Sequence, residues 1–197
     1  MNDPVIKAET IVAPADIDRA VATLTLAFSA DPVARWVYDD AHRYLTHFPA
    51  FVRAFGGEAF AAGTAYAIAD GAGAALWLPP GRHVDDAALG AVLQETLTPE
   101  KYEALGAVFG QMAAFHPAEP HWYLPLIGID TFHQNRGHGA ALMQHTLRQC
   151  DREHVAAYLE STNARNIPFY QRHGFEVLGS IAVDASYSIV PMLRAAR

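Results

Sequence analysis

The sequence predicts an α/β fold in which helices flank a central sheet of mixed strand direction. Two observations lead to this prediction. The apolar runs 64–69 and 74–78 are joined by the turn residues 70–73, which is the pattern of an antiparallel β-hairpin. Farther along, an apolar strand from His121, a helix and a strand over 155–161 form a strand–helix–strand unit with parallel strands. A chain with both kinds of connection builds a sheet of mixed direction.

The N-terminal part is predicted to begin with a strand and continue with two helices. Residues 4–12 carry β-branched side chains that alternate in part, and residues 13–16 give a helix start. Apolar residues at helical spacing then follow over 17–28. A second helix is expected over 41–55, with Pro49 as the point where it kinks or divides.

A pair of helices is predicted after the hairpin. Prolines and a glycine at 79–81 close the hairpin, and helical patterns follow over 85–96 and 99–115. Thr98 followed by Pro99 is the start signal of the second helix. We interpret residues 80–120 as a helical insertion within a single domain that spans residues 1–197.

The C-terminal part is predicted to complete the sheet. A helix reaches to about Arg152, and its apolar face contains Cys150, which we expect in the core. After the 155–161 strand, a short helix ends at His173, and strands follow over 175–182 and 186–192.

Composition excludes several classes of protein. Apolar residues make up 51% of the chain and charged residues 18%, which is too apolar for a disordered chain. The longest uncharged stretch, 104–118, is shorter than the roughly 20 residues of a membrane span. Residues 1–10 lack the apolar segment of a secretory signal. We therefore expect a globular, cytoplasmic protein without a membrane partner.

Charge and cysteine content exclude further functions. The formal net charge is −7 and no basic run occurs, so a nucleic acid partner is not expected. Cys150 is the single cysteine, which excludes an internal disulfide and a cysteine-based zinc site and agrees with a reducing compartment. The 10 histidines show no metal-ligand spacing, so we expect no metal.

The loop before the predicted helix at 140–152 has the residues of an anion site. Gly137 and Gly139 let the backbone approach a ligand, and the free N–H groups of the first helical turn attract a phosphate or pyrophosphate. A P-loop is excluded because no Gly-Lys-Ser/Thr follows. The dinucleotide fingerprint fails at Leu142. The remaining pattern, Q/R-x-x-G-x-G/A, matches Gln134, Gly137 and Gly139.

With this motif between a strand and a helix, the sequence resembles the GNAT superfamily of acyl-CoA-dependent N-acetyltransferases. Residues 158–176, with their strand, Asn163, Tyr170 and a Gly-Phe ending, are similar to the family's next segment. Residues 116–124 and 166–170, together with the inserted helices, look like the puromycin N-acetyltransferase-like branch. The resemblance implies a mostly antiparallel central sheet and the transfer of an acetyl group from acetyl-CoA to the amine of a small molecule by direct attack on the thioester.

The resemblance also implies which residues bind acetyl-CoA. Backbone N–H groups from Asn135 to Ala140 would cradle the pyrophosphate, and the fourth strand, splayed from the fifth, would pair with the pantetheine arm. Asn163 and Tyr170 are seven residues apart, so both face one ligand if a single helix contains them, although Pro168 places the helix start near Asn166. The implied cofactor-binding residues are Ile127, Gly128, Ile129, Gln134, Asn135, Arg136, Gly137, His138, Gly139, Ala140, Asn163, Asn166 and Tyr170.

Three side chains are candidates for moving protons in this reaction. Glu160 is the only acid in the 155–161 strand, and a carboxylate in an apolar strand is costly unless it is paired or used, so we favour it as the general base, directly or through water. His121 is the second candidate because an ordinary histidine pKa of about 6.5 suits a base. By resemblance Tyr170 lies near the sulfur, where it either hydrogen-bonds the leaving thiolate or protonates it.

Two other functions stay open at the level of the sequence. One is a non-catalytic acyl-CoA-binding module that senses the cofactor or scaffolds a partner, and the other is acetylation of protein or peptide amines. An open acidic groove would indicate a protein acceptor, whereas a closed apolar pocket under the helices at 85–115 would indicate a small molecule. Dimers are common in the family, so a homodimer is the oligomer that the resemblance suggests.

Overall fold

The central sheet has the mixed, mostly antiparallel arrangement that was predicted. The computed structural model describes residues 11–13 and 15–197, so most of the strand predicted at 4–12 lies outside the described residues. The strands are β1 (Ile11–Val12), β2 (Ala65–Ile68), β3 (Gly73–Leu78), β4 (His121–Ile129), β5 (Ala156–Ser161), β6 (Glu176–Val177), β7 (Ile181–Ala182) and β8 (Ser188–Arg194). They follow the order β1-β2-β3-β4-β5-β8-β6, with β7 paired to β8. In this sheet, β4 and β5 form the parallel pair and the other described pairs are antiparallel.

Eight helices surround the sheet in the described part of the chain. They are α1 (Ile17–Ala27), α2 (Pro32–Val37), α3 (Ala41–Gly56), α4 (Glu58–Ala61), α5 (Asp86–Thr96), α6 (Pro99–Phe115), α7 (His138–Glu153) and α8 (Ile167–Arg172). Oxygens of Asp16, Asp31, Asp40, Asp85 and Thr98 accept hydrogen bonds from first-turn N–H groups and so cap five of them. None of these helices is long and apolar enough to span a membrane.

The structure departs from the predicted elements in several places. The helix α2 was not predicted, because six residues are too few to show a helical period. Pro49 lies inside α3 without ending it. The single strand predicted at 175–182 was wrong, since that segment forms the two short strands β6 and β7. The last strand lies two residues later than predicted.

The sheet separates two hydrophobic cores. One core packs against α1, α3 and α6 and contains Tyr123 and Tyr158. The other packs against α7 and contains Trp122 and Leu159, which point to the opposite face because side chains alternate along a strand. Cys150 lies in this second core as predicted, and burial raises the pKa of its thiol to about 12, so the thiol is neutral at pH 7.

Candidate functional site

The parallel strands β4 and β5 separate halfway along their length. They pair from His121–Ala156 to Leu124–Leu159 and no further. The next residue on β4 is Pro125, which has no N–H to donate. The other edge of β4 stays paired with β3 as far as Ile129. The segment from Pro125 to Ile129 therefore presents an unpaired edge to a gap, where an extended amide chain can add as a strand.

The loop that follows β4 presents free backbone donors. Asn135 and Gly137 have φ angles of 60° and 84°, and α7 begins directly after Gly137. Within the described residues, the N–H groups from Asn135 to Ala140 make no backbone hydrogen bond. Nε2 of Gln134 donates to the carbonyl oxygen of Ile129 at 3.3 Å and so ties the loop to the end of the strand. Free donors at the positive end of the α7 dipole are the arrangement that attracts an anion, and binding of a diphosphate here remains a prediction.

The residues of this region fit a nucleotide with a diphosphate and an extended amide arm. Nδ1 of His138 is buried without a hydrogen-bond partner in the described structure, so a polar ligand group would satisfy it. A Cβ added at Gly139 would lie 3.6 Å from Phe169, an ordinary contact, so protein packing does not demand glycine there. The lack of a side chain leaves that space to a ligand.

Gly128 is a glycine for a reason other than the expected ligand contact. A Cβ at this position would lie 2.6 Å from Cβ of Ala27 and 3.2 Å from Leu24, so the absence of a side chain allows α1 to pack closely on β4. Its neighbours Ile127 and Ile129 pack against the second core on the α7 side. The contact of these three residues with a pantetheine arm remains a prediction.

An apolar cavity of about 100 Å³ lies beside the gap between β4 and β5. Side chains of α2, α3 and α6 form its apolar walls, and residues 124–127 of β4 border it. Its polar lining comes from two segments that are far apart in the sequence. The polar residues are Asp31, Glu160, Thr162, Asn166 and Tyr170. The structure thus brings two of the predicted catalytic residues, Glu160 and Tyr170, to one cavity.

Glu160 occupies a buried position between aromatic rings. Its side chain is 4% exposed, and Oε1 lies 3.1 Å from Nε2 of His116, within ion-pair distance, although that oxygen accepts no hydrogen bond from the described residues. Burial raises the pKa of Tyr123 and Tyr158, and the neighbouring Glu160 carboxylate raises both further. The two phenols therefore stay protonated beside the carboxylate.

Asp31 is a carboxylate of the cavity that sequence reasoning missed. Oδ1 accepts hydrogen bonds from the N–H groups of Val33 and Ala34 at 3.0 Å, and Oδ2 accepts one from the hydroxyl of Thr162 at 2.7 Å. Burial raises its pKa, and these hydrogen bonds act in the opposite direction. The Asp31-Pro32 pair signals a helix start, but its contact with Thr162 joins residues 131 positions apart and has no local signal.

The raised pKa of Asp31 predicts a pH effect on stability that Asp31→Asn removes. Because the carboxyl binds its proton more tightly in the folded state than at the ordinary pKa of 3.8, ionisation destabilises the fold as pH rises past 3.8. We expect the free energy of unfolding of the wild type, relative to the variant, to fall between pH 3.5 and neutrality, as urea denaturation would measure. Asp16→Asn, at the exposed cap of α1, is the control for the loss of a capping charge. A difference independent of pH would contradict the prediction.

His121 lies in a different compartment from the predicted base. It lines a larger cleft, of about 690 Å³, between α5, α6 and the start of β4, together with His116 and Tyr123. Its Nδ1 is 2.9 Å from the carbonyl oxygen of Glu119. Burial lowers the pKa of His121, and the hydrogen bond to Glu119 acts against this, with smaller effects from His116, His83 and Glu160. The imidazole is thus neutral at pH 7 but does not line the cavity.

Tyr170 and Asn163 do not share a helix. Asn163 caps the 3-10 turn Ala164–Asn166, where its Oδ1 accepts from the N–H of Arg165 at 3.1 Å, and α8 begins only at Ile167. Of the two arrangements that the sequence left open, the structure has the one in which Pro168 lies in the first turn of α8 and Asn163 precedes the helix. Tyr170 is buried, and burial followed by the charge of Asp31 raises its pKa. Its phenol therefore stays protonated at the cavity wall.

Known proteins resemble this chain in sequence and in fold. Residues 34–175 match the sequence profile of the acetyltransferase (GNAT) family. A Schizosaccharomyces pombe protein named as an uncharacterized N-acetyltransferase is 28% identical over 199 residues, covering 90% of this chain and 77% of the yeast protein.

Two solved structures have the same fold. One carries the name histone acetyltransferase HPA2 and related acetyltransferase, from Corynebacterium glutamicum, with a TM-score of 0.65, 24% identity, and coverage of 95% of this chain and 96% of that chain. The other is arylalkylamine N-acetyltransferase 2 from Aedes aegypti, with a TM-score of 0.65, 14% identity, and coverage of 95% of this chain and 99% of that chain.

Proposed function

Because this chain belongs to the acetyltransferase (GNAT) family, we propose that it acetylates the amine of a small molecule, with acetyl-CoA as acyl donor and direct attack on the thioester. Membership makes the chain an acyl-CoA-dependent N-acetyltransferase. The observation that carries the finer proposal is the unpaired edge of β4, which lies between the loop of free N–H groups and an apolar cavity with buried carboxylates. These three features provide sites for the diphosphate, the amide arm and the reacting groups.

The loop and the gap position the donor. The N–H groups from Asn135 to Ala140 would hold the diphosphate, with Arg136 and His138 adding positive or polar contacts, and Gln134 holds the loop in place. The free edge from Ile127 to Ile129 would pair with the arm, with Asn163 and Asn166 beside it. When bound, acetyl-CoA supplies an activated thioester. A backbone N–H of the free edge between Ile127 and Ile129 would stabilise negative charge as it develops on the thioester oxygen.

Glu160 is the carboxylate best suited to accept the proton of the attacking amine. The Asp31 carboxylate already caps α2 and binds the Thr162 hydroxyl, whereas the Glu160 carboxylate accepts no backbone N–H in the described residues and has the phenols of Tyr123 and Tyr158 and the imidazole of His116 beside it. Glu160 also lines the cavity, which His121 does not. A general base must reach the proton directly or through one water, and Glu160 meets this condition at the cavity wall.

The cavity favours a small acceptor. Its walls are apolar side chains from three helices, α6 among them, and its volume of about 100 Å³ suits a group of a few atoms rather than a protein surface. The Aedes aegypti protein of similar fold is named for arylalkylamine acetylation, which agrees with this acceptor class. We assign the chain to the puromycin N-acetyltransferase-like branch on its motifs at 116–124 and 166–170, with α5 and α6 as the insertion.

The test of the proposed function is thiol release with a panel of acceptors. We expect acetyl-CoA-dependent release with small primary or secondary amines and none above background with lysine peptides. Calorimetry with CoA provides the parallel measurement of binding. Tight CoA binding without turnover across the panel would instead favour a non-catalytic acyl-CoA-binding module, and faster turnover with peptides would favour a protein acceptor.

Tyr170→Phe should slow the chemical step several-fold while the KM for acetyl-CoA stays close to that of the wild type. Because its phenol is protonated and lies at the cavity wall, Tyr170 can donate a hydrogen bond to the departing sulfur, a contact worth about 1.5–3 kcal/mol at most. Single-turnover kinetics measure the step. Tyr187→Phe, an exposed tyrosine outside the cavity, is the matched control. An unchanged rate for Tyr170→Phe would leave this residue a packing role only.

A further inference from the structure

The cavity and the cleft meet at one pair of titratable side chains. Glu160 lines the cavity but not the cleft, and His116 lines the cleft but not the cavity. Nε2 of His116 lies 3.1 Å from Oε1 of Glu160. The pair therefore connects the cavity, where the proposed chemistry takes place, with the cleft. The side chains that line both compartments are Phe55, Phe109 and Met112.

The two partners differ in their access to water. The Glu160 side chain is 4% exposed and that of His116 is 31% exposed. The rim of the cleft consists of exposed residues, among them Arg82, His83 and Glu119. A proton taken up by Glu160 is thus shielded from solvent on the cavity side, whereas His116 can exchange a proton with water in the cleft.

Resting on the proposed function, we propose that His116 is the positioning and relay residue through which Glu160 loses its proton to solvent in each turnover. The ammonium group of the acceptor gives one proton to Glu160, and the amine nitrogen forms its bond to the acetyl carbon. The carbon–sulfur bond breaks, and the second amine proton goes to the leaving thiolate. Glu160 passes its proton to His116, and His116 releases it to the cleft, so that each cycle releases one proton and resets both groups.

The surroundings of His116 suit a relay. Its ring packs at centroid distances of 4.4 Å from Tyr158, 4.7 Å from Tyr123 and 5.6 Å from His121. Both tyrosines have raised pKa values, and so they stay neutral and do not compete for the proton. His121, with its lowered pKa, is neutral beside it, and His83 and Glu119 lie farther out on the rim. Among these described groups, Glu160 is the carboxylate in ion-pair contact with the imidazole.

The test compares His116→Gln with the wild type in the amine acetylation assay. We expect kcat to fall about tenfold, while the KM values and CoA affinity are unchanged, and added imidazole to restore the rate. His83→Gln, in the same cleft but without an ion pair to Glu160 in the described structure, should behave as the wild type. Thermal unfolding of His116→Gln and of His116→Asn verifies that both variants keep the fold.

The second measurement is the rate of the double variant that carries both Glu160→Gln and His116→Gln. In a Glu160→Gln background, His116→Gln should cost little further rate, because the relay has no proton to carry. Multiplicative effects, or a loss that imidazole does not restore, would overturn the relay. If the wild type itself acetylates no amine, the proposed function fails. If the wild type turns over and His116→Gln matches it, only the relay fails.

Discussion

Gly137→Asp should weaken CoA binding by roughly 1,000-fold. The backbone at Gly137 has φ 84° and is followed directly by α7, so a side chain there stands among the N–H groups that would hold the diphosphate. Two like charges about 4 Å apart at an effective dielectric constant of about 20 repel by about 4 kcal/mol, which corresponds to this loss. Isothermal titration calorimetry with CoA measures it.

Two control variants separate charge from backbone strain at Gly137. Gly137→Asn adds a similar side chain without charge, and asparagine tolerates the left-handed conformation, as Asn135 does at φ 60°. Gly63→Asp places the same charge at φ 70° with open space around it. We expect the first to lose far less affinity than Gly137→Asp and the second to bind as the wild type. Equal affinity of Gly137→Asp and the wild type would contradict the assignment of this loop.

Glu160→Gln should lower kcat by about 100-fold or more while CoA affinity is unchanged. The carboxylate lines the cavity beside Tyr158 and is the proposed proton acceptor, and general base catalysis contributes about 10²–10⁴-fold to such reactions. Glutamine keeps the size of the side chain, but it carries no charge, cannot take a proton and has an NH2 group in place of one oxygen. Steady-state kinetics over a range of pH, with calorimetry for CoA, measure both effects.

The carboxylate of Asp31 is the decisive comparison for this prediction. Asp31→Asn keeps one oxygen that can accept from the N–H groups of Val33 and Ala34, and its amide N–H can donate to the Thr162 hydroxyl, so it removes the charge in the same cavity while each of these residues keeps a partner. Glu119→Gln, on the exposed rim of the cleft, is the neutral control. A larger loss of kcat for Asp31→Asn than for Glu160→Gln would transfer the base role to Asp31. If the wild type and Glu160→Gln had the same flat pH–rate profile, Glu160 would not be the general base.

Local patterns predicted most of the fold because each depends on residues that are close in sequence. The turn at 70–73 joined its two strands as expected, and Thr98 capped α6 at the predicted start. The free N–H groups after Gly137 follow equally from local geometry, since the first turn of any helix lacks partners for its donors. One short motif was therefore enough to predict this group of free N–H donors.

The sequence predicted only some of the residues that line the cavity. Glu160 and Tyr170 were identified by residue type and position, and the structure places both at the cavity wall. Their partners Asp31 and His116 were missed, because each comes from a separate segment and approaches only when the helices pack on the sheet. The close packing of α1 against Gly128 was likewise not predicted, because it joins segments that are far apart in the sequence.

By itself, the sequence determined most of the strands and helices, the loop of free N–H groups before α7 and the resemblance to a family of acetyltransferases. These features rest on hydrogen bonds and side-chain periodicity within a few residues. Only the tertiary structure decided that β4 and β5 separate after Leu124, that Asp31 contacts Thr162, and that Glu160 in the cavity lies beside His116 in the cleft. Such contacts depend on how distant segments pack. Many residues of the core contribute to the free energy of that packing, so no single motif predicts it.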